Sequence, residues 1–169
     1  SVVPMLPCWL YLHINLLAAL FLLQSCRGAT SKERRLYPDF ANILDGGNYD
    51  WETHQVKTKD GWHLTLFRII GVLGVEYKAH APRENDRVRL PLLMLHGAYD
   101  SAYGRISRGI FDKPWTLKMV DQGYDMWLYN ARGVKYSNKH DRDGEWSLKE
   151  RWDFTFADLG TFDLPAVMQ

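Results

Sequence analysis

Cysteine is nearly absent from this chain: it has two, Cys8 and Cys26, both near its start. A chain processed beyond Cys26 keeps neither, which excludes a disulfide framework and leaves stability to a packed core. An excess of charge of one sign is missing as well. The 21 Lys and Arg face 20 Asp and Glu, and loss of Arg27 would make the two equal. So balanced a chain lacks the basic stripe that nucleic-acid binding requires, and no nucleic-acid partner is expected. Internal repeats and low-complexity tracts are also missing. Nor is any apolar run long enough to span a bilayer. The longest, WLYLHINLLAALFLL, goes from Trp9 to Leu23, short of the roughly 20 residues that a spanning helix needs.

That short run fits the apolar centre of a secretory signal peptide. Small residues follow it in SCRGA and offer cleavage sites near Cys26, Gly28 or Ala29. The segment before it has no Lys or Arg and begins with Ser, so Met5 is a candidate start, and a non-cleaved anchor is the alternative. Residues 1–29 are therefore expected to form a signal peptide. Residues 30–48, with the mixed-sign cluster Lys32-Glu33-Arg34-Arg35, are expected to form a linker or N-terminal extension, and residues 49–169 a domain.

What the chain has in quantity is apolar and aromatic residues, 46% and 14%. That is enough for one globular core and too much for disorder. From Thr53 to Ile70, THQVKTKDGWHLTLFRII alternates apolar and polar residues on either side of Lys59-Asp60-Gly61, which predicts a β-hairpin. Glu76 to Arg89 is charged and contains Pro82, so it reads as a loop. Leu90 to Leu95 is short and continuously apolar, as a strand buried on both faces would be. Pro114 opens a helical pattern that Gly123 closes, and Tyr124 to Tyr129 is a second short strand. Trp152 to Gln169 reads as helix, with Thr155 and Asp158 spaced as a capping box and a break with a fresh helix start at Asp163-Leu164-Pro165. The fold class is thus α/β: a hairpin, then parallel strand–helix–strand–helix.

The stretch PLLMLHGAYDS (Pro91 to Ser101) breaks from strand into His-Gly. In a parallel sheet, ligands collect at the carboxyl ends of the strands. A glycine there lets the backbone turn sharply and aim the next N–H into a cleft, which is what an oxyanion hole requires.

Four blocks in matching order, DGWHLTLFRI, HGAYDS, GYDMWLYNARG and FADLGTFDLPA, resemble the N-terminal part of the acid lipase family. These are the lysosomal and gastric lipases and their relatives within the α/β-hydrolase fold. The similarity covers roughly Tyr49 to Val167. It implies a secreted or lysosomal enzyme that hydrolyses ester bonds of neutral lipids, triacylglycerol or sterol ester, at a lipid–water interface and without a cofactor. It implies that the Ala98 N–H serves the oxyanion hole on a loop formed with His96 and Gly97. It also implies that Asn130, Arg132 and Gly133 form a structural turn under the active site. Ala98 stands where relatives commonly carry leucine, and Leu95 where many carry glutamine.

The family's Ser, Asp or Glu, and His follow one another along the chain, the serine on a Gly-x-Ser-x-Gly elbow. This sequence contains no such elbow. It is therefore expected to be an N-terminal fragment, truncated before the nucleophile and inactive alone. The Leu90–Leu95 strand should lie between the Tyr124–Tyr129 strand and the one carrying the elbow, so residues 30–169 alone should have an open strand edge and poor solubility. The alternatives are a non-catalytic relative that binds lipid or a partner protein, and another α/β-hydrolase such as an esterase or epoxide hydrolase.

Other polar residues carry plainer readings. His96 is expected to brace its loop rather than act as base, and Ser101, Ser107 and Ser137 to be polar turn residues outside any strained elbow. His54 and His63 fall in the hairpin, away from the strand ends. His140 and Asp141 lack a second ligand pair at metal-site spacing and read as solvated loop. Arg132 should be met by backbone carbonyls or a carboxylate, because an unpaired buried charge is costly.

Overall fold

The computed structural model describes residues 28–76, 89–109 and 112–169. All of the expected signal peptide but Gly28 and Ala29, both cysteines and all but the ends of the expected Glu76–Arg89 loop lie outside these residues.

The hairpin is the spine of the fold. Strand β1 (Tyr49–Lys57) pairs antiparallel with β2 (Trp62–Val72), with Thr53 opposite Phe67 and Val56 opposite Leu64. Its turn closes through the Thr58 N–H on the Trp62 carbonyl and the Gly61 N–H on the Thr58 carbonyl. Gly61 has φ of 98°, a conformation open to glycine at little cost. Strand β2 then pairs antiparallel with β4 (Asp125–Leu128), which pairs parallel with β3 (Pro91–Met94). The sheet order is β1-β2-β4-β3; the hairpin pair and the parallel β3–β4 pair are the expected ones, and the antiparallel β2–β4 pairing that joins them was not anticipated. The burial of β3 differs from expectation. Pro91 is exposed and Leu92, Leu93 and Met94 are only half-buried, because β3 is the last strand of the sheet and among the described residues only β4 pairs with it.

Residues 30–48 are more than a linker. They form helix α1 (Ser31–Leu36) and helix α2 (Pro38–Leu44), and Phe40 and Leu44, one turn apart, are fully buried. Phe40 stacks on Phe67 of β2 with ring centroids 3.6 Å apart. Helices α3 (Ala102–Ser107) and α4 (Trp115–Asp121) cover the same sheet face, joining Ile106, Leu117 and Val120 to Phe67, Met126 and Leu128. The β3-to-β4 connection therefore holds two helices where the sequence pattern marked one.

Glu33 ties α1 to β1. Its carboxylate caps Thr30 and accepts from the N–H and hydroxyl of Thr53 at 2.8 and 2.6 Å. Burial works to raise its pKa, but the hydrogen bonds from Thr53 and Thr30 outweigh it and bring the value from 4.5 to about 2. A folded pKa below the unfolded one stabilises above the unfolded value, and that stability is lost as pH falls through the folded value. Glu33→Gln is thus expected to lower the denaturation midpoint at pH 7. The gap to the wild type should close between about pH 4.5 and about pH 2; a gap constant across that window in acid titrations of both proteins would contradict the assignment.

The opposite sheet face is covered from the chain's last helical stretch. The capping box of Thr155 and Asp158 forms as expected. No break follows. Helix α6 (Phe156–Asp158) runs through a π-helical turn (Leu159–Asp163) into α7 (Leu164–Val167). Pro165 lacks the N–H of a regular turn, and the wider turn before it lets the helix continue. This stretch packs Leu159 and Val167 against Trp62, Leu64 and Tyr129.

His140 also departs from expectation. It lies in the short strand β5 (Lys139–His140), paired with β2, and is 6% exposed. Its ring stacks on Trp146 at 3.9 Å, its Nε2 meets the Asp60 carbonyl at 2.8 Å, and its Nδ1 accepts from the Arg142 N–H. Both ring nitrogens have backbone partners, so burial costs little. Among the described residues a further helix, α5 (Leu148–Arg151), has its own capping box between Ser147 and Glu150.

Candidate functional site

At the carboxyl ends of the parallel pair, the Tyr129 N–H donates to the Met94 carbonyl at 3.1 Å, and both chains then turn away. His96 joins the two turns. Its Nε2 accepts from the Ala131 N–H at 3.0 Å, and its Nδ1 lies 2.8 Å from the Gly97 carbonyl. A ring that accepts at Nε2 carries its proton at Nδ1 and donates it to Gly97, so this histidine is neutral in one tautomer. It also lies nearly parallel to the Tyr129 ring, centroids 5.9 Å apart. The imidazole is committed to holding the loop.

The loop so held carries Ala98 and Tyr99, both exposed. Tyr99 is left-handed, with φ of 59°, and the Asp100 N–H closes the turn on the Gly97 carbonyl at 3.2 Å. Between them, the Ala98 N–H meets no acceptor among the described residues.

Beneath lies the Asn130–Gly133 turn. Asn130 is fully buried. Its amide donates to the Thr65 carbonyl and accepts from the Ala102 N–H, each at 2.9 Å, so it pins the start of α3 to β2. Ser137, also fully buried, donates to the Asn130 carbonyl and accepts from the Thr65 N–H. Gly133 has φ of 80°, and a Cβ there would meet the Trp152 ring at 2.8 Å. Gly133→Ala is expected to cost about 1–3 kcal/mol from strain and clash together, readable in urea denaturation; a neutral substitution would show that Trp152 is free to move.

Arg132 is the cation of this floor and is 3% exposed. It grips two carboxylates. Its Nη1 reaches Asp60 at 2.6 Å, and its Nε reaches Asp163 at 2.8 Å. Asp163, fully buried, also accepts from the Arg132 N–H at 3.1 Å and the Tyr129 hydroxyl at 2.7 Å. The rings of Trp62, Phe154 and Phe162 surround the guanidinium, 5.6 to 5.7 Å from its carbon, a favourable setting for a cation. Burial works to raise the Asp60 pKa, but the bonds from Arg132 and Thr58 prevail and lower it. Burial, and then the bond to Asp163, push the Tyr129 phenol up. Held by these bonds, the groups act as a fixed floor.

The structure thus brings His96, Gly97, Ala98, Asn130, Arg132 and Gly133 to one end of the sheet. It leaves His54 and His63 elsewhere. His54 bonds Glu52 at 2.9 Å and His63 bonds Asp141 at 2.9 Å. A hollow of about 380 Å³ beside His54, Leu66, Trp127 and Val167 involves none of the His96 loop. Asp60, Tyr129 and Asp163 were not singled out from sequence as parts of the floor. A buried arginine demands counter-charges, but the pattern does not say which of the acidic residues supply them.

A family model for a partial alpha/beta-hydrolase lipase region matches residues 40–104, from the second helix through the His96 loop. Lipase 1 of Drosophila melanogaster is 36% identical over 121 residues, which is 71% of this chain and 24% of that protein. Human Lipase member J is 32% identical over 128 residues, 76% of this chain and 33% of that protein. Human Lipase member K is 31% identical over 161 residues, 91% of this chain and 38% of that protein. The chain belongs to the acid lipase family. The mixed sheet with its β3–β4 parallel pair is the N-terminal portion of an α/β-hydrolase lipase region. The chain spans about a quarter to two-fifths of these lipases' length.

Proposed function

We propose that this acid lipase chain supplies the oxyanion loop and the floor of an enzyme that hydrolyses carboxylic esters of neutral lipids, triacylglycerol or sterol ester, at a lipid–water interface. The observation that carries the reading is the Ala98 N–H, which has no acceptor among the described residues and lies at the carboxyl end of a parallel strand, while His96 ties the preceding Gly97 carbonyl to the Ala131 N–H of the neighbouring turn. A donor held in this way is ready for the charge that develops on an acyl oxygen during attack, and no reorganisation is needed at that moment. Serine, base and acid come from outside these residues, since no Gly-x-Ser-x-Gly occurs among them. In the whole enzyme the serine attacks the ester carbon, the oxyanion rests partly on Ala98, the alcohol leaves, and water releases the acid. Residues 1–29 act as a signal peptide, so the enzyme works outside the cell or in the lysosome.

The test reads the transcript beyond the codon for Gln169 and expresses the complete reading frame. Hydrolysis of emulsified triolein or cholesteryl oleate, with labelling of one serine by a phosphonate ester, is the expected result. A complete frame that has no nucleophile elbow and does not label, but holds lipid vesicles, would replace the lipase reading with the lipid-binding one.

A further inference from the structure

Helix α3 brings Arg105 against the oxyanion loop. Its Nη2 lies 3.9 Å from the point where a Cβ on Gly97 would stand. The residue is half-buried, and its Nε is buried with no hydrogen-bond partner. Among the described residues nothing forms an ion pair with this guanidinium. Other arginines of the chain behave differently: Arg34, Arg68, Arg132 and Arg151 each hold a carboxylate at 2.6 to 2.9 Å. The loop has a carboxylate of its own, beside Gly104, yet Asp100 makes no bond to Arg105. Its Oδ1 accepts from the Ser101 N–H at 2.8 Å and lies 3.4 Å from Arg108.

A guanidinium drawn partly out of water without an anion is costly. Its fork of N–H donors suits two oxygens at once. The nearest place where negative charge develops in the proposed reaction is the acyl oxygen at the Ala98 N–H, one residue from Gly97. We propose that Arg105 is a specificity-determining cation of this acyl site: it stands behind the His96-Gly97-Ala98 loop and favours negative charge on the acyl oxygen. That charge appears twice. When the serine oxygen bonds to the ester carbon, the carbonyl electron pair moves onto the oxygen, and it returns as the alcohol is expelled. After deacylation the same position holds the carboxylate of the fatty acid. Arg105 acts by its charge and its N–H donors and transfers no proton in the reaction.

This inference rests on the proposed ester hydrolysis, and its test separates the two. In the complete protein, Arg105→Met, Arg105→Gln and Arg105→Lys are assayed on a soluble short-chain p-nitrophenyl ester, with oleate and oleyl alcohol as inhibitors and melting temperature as a control. Arg105→Met is expected to lower kcat about tenfold with little change in KM and to weaken oleate inhibition about tenfold, the scale of one charge-assisted hydrogen bond. Inhibition by oleyl alcohol should not change, and lysine should recover part of both losses. A lost preference for oleate over its alcohol is a change that a purely structural arginine would not produce. If Arg105→Met does not fold, the oleate-to-alcohol ratio in the glutamine and lysine variants decides. Wild-type kinetics and wild-type oleate inhibition in the variants overturn the inference, and a lower melting temperature alone would assign Arg105 to a structural carboxylate. An inactive wild type overturns ester hydrolysis and this inference together; an active wild type with unaffected variants overturns this inference alone.

Discussion

Asp163→Ala should lower the stability of the protein by about 3–5 kcal/mol, the usual loss when one partner of a buried charge network is removed. The size follows from what depends on one carboxylate. Asp163 is fully buried and accepts from the Arg132 main chain, the Arg132 guanidinium and the Tyr129 hydroxyl. Alanine leaves all three donors without that acceptor, and Asp60, the remaining counter-charge, is partly open to solvent. Asp163→Asn keeps an acceptor for Tyr129 but removes the charge facing Arg132, so its loss should be smaller. Guanidinium denaturation of the three proteins measures the order. A loss below about 1 kcal/mol for alanine would mean that water or a shifted Asp60 can satisfy Arg132. The damage should extend to the loop above, because Tyr129 lies against His96.

Ala98→Pro should cost the complete enzyme roughly 100–1,000-fold in kcat, the scale seen when one oxyanion donor is deleted. Proline removes the N–H and fixes φ at about −65°, and the preceding residue, Gly97, tolerates the restriction that proline imposes on its neighbour. Ala98→Leu keeps the N–H and enlarges only the side chain, so it should stay within a few-fold of the wild type. Paired melting curves exclude a loop that has simply collapsed. If Ala98→Pro hydrolyses esters within about threefold of the wild type, the oxyanion donor lies elsewhere.

The parts of the fold that were legible in sequence are those whose signal is local. Asp60-Gly61 between alternating runs marked the hairpin, and Pro114 and Gly123 bracketed a helix that forms over Trp115–Asp121. The helices before β1 were hidden by the charged cluster at Lys32–Arg35, although Phe40 and Leu44, spaced four apart, carried the clue. His140 was misread because its neighbours are charged, and sequence does not reveal the carbonyl of Asp60, 80 positions away, that receives its Nε2. The site divides in the same way. His96, Gly97 and Ala98 follow from a strand that ends in His-Gly. Asp163 lies 31 positions from Arg132 and looked like the end of a helix, so the floor becomes visible only once the chain is folded.

The π-helical turn at Leu159–Asp163 has a geometric consequence along the whole helical stretch. In an unbroken α-helix each residue advances about 100°, so positions four apart drift by about 40° at every step. Leu159, Asp163 and Val167 are four apart, and all three meet the same side of the sheet: Leu159 and Val167 pack on the aromatic cluster, and Asp163 is sealed against Arg132. The wider turn takes back the drift and sets the three in one column. What aims the carboxylate at the arginine is therefore the number of residues in that turn, so a single-residue deletion there would rotate Asp163 and Val167 together relative to Leu159.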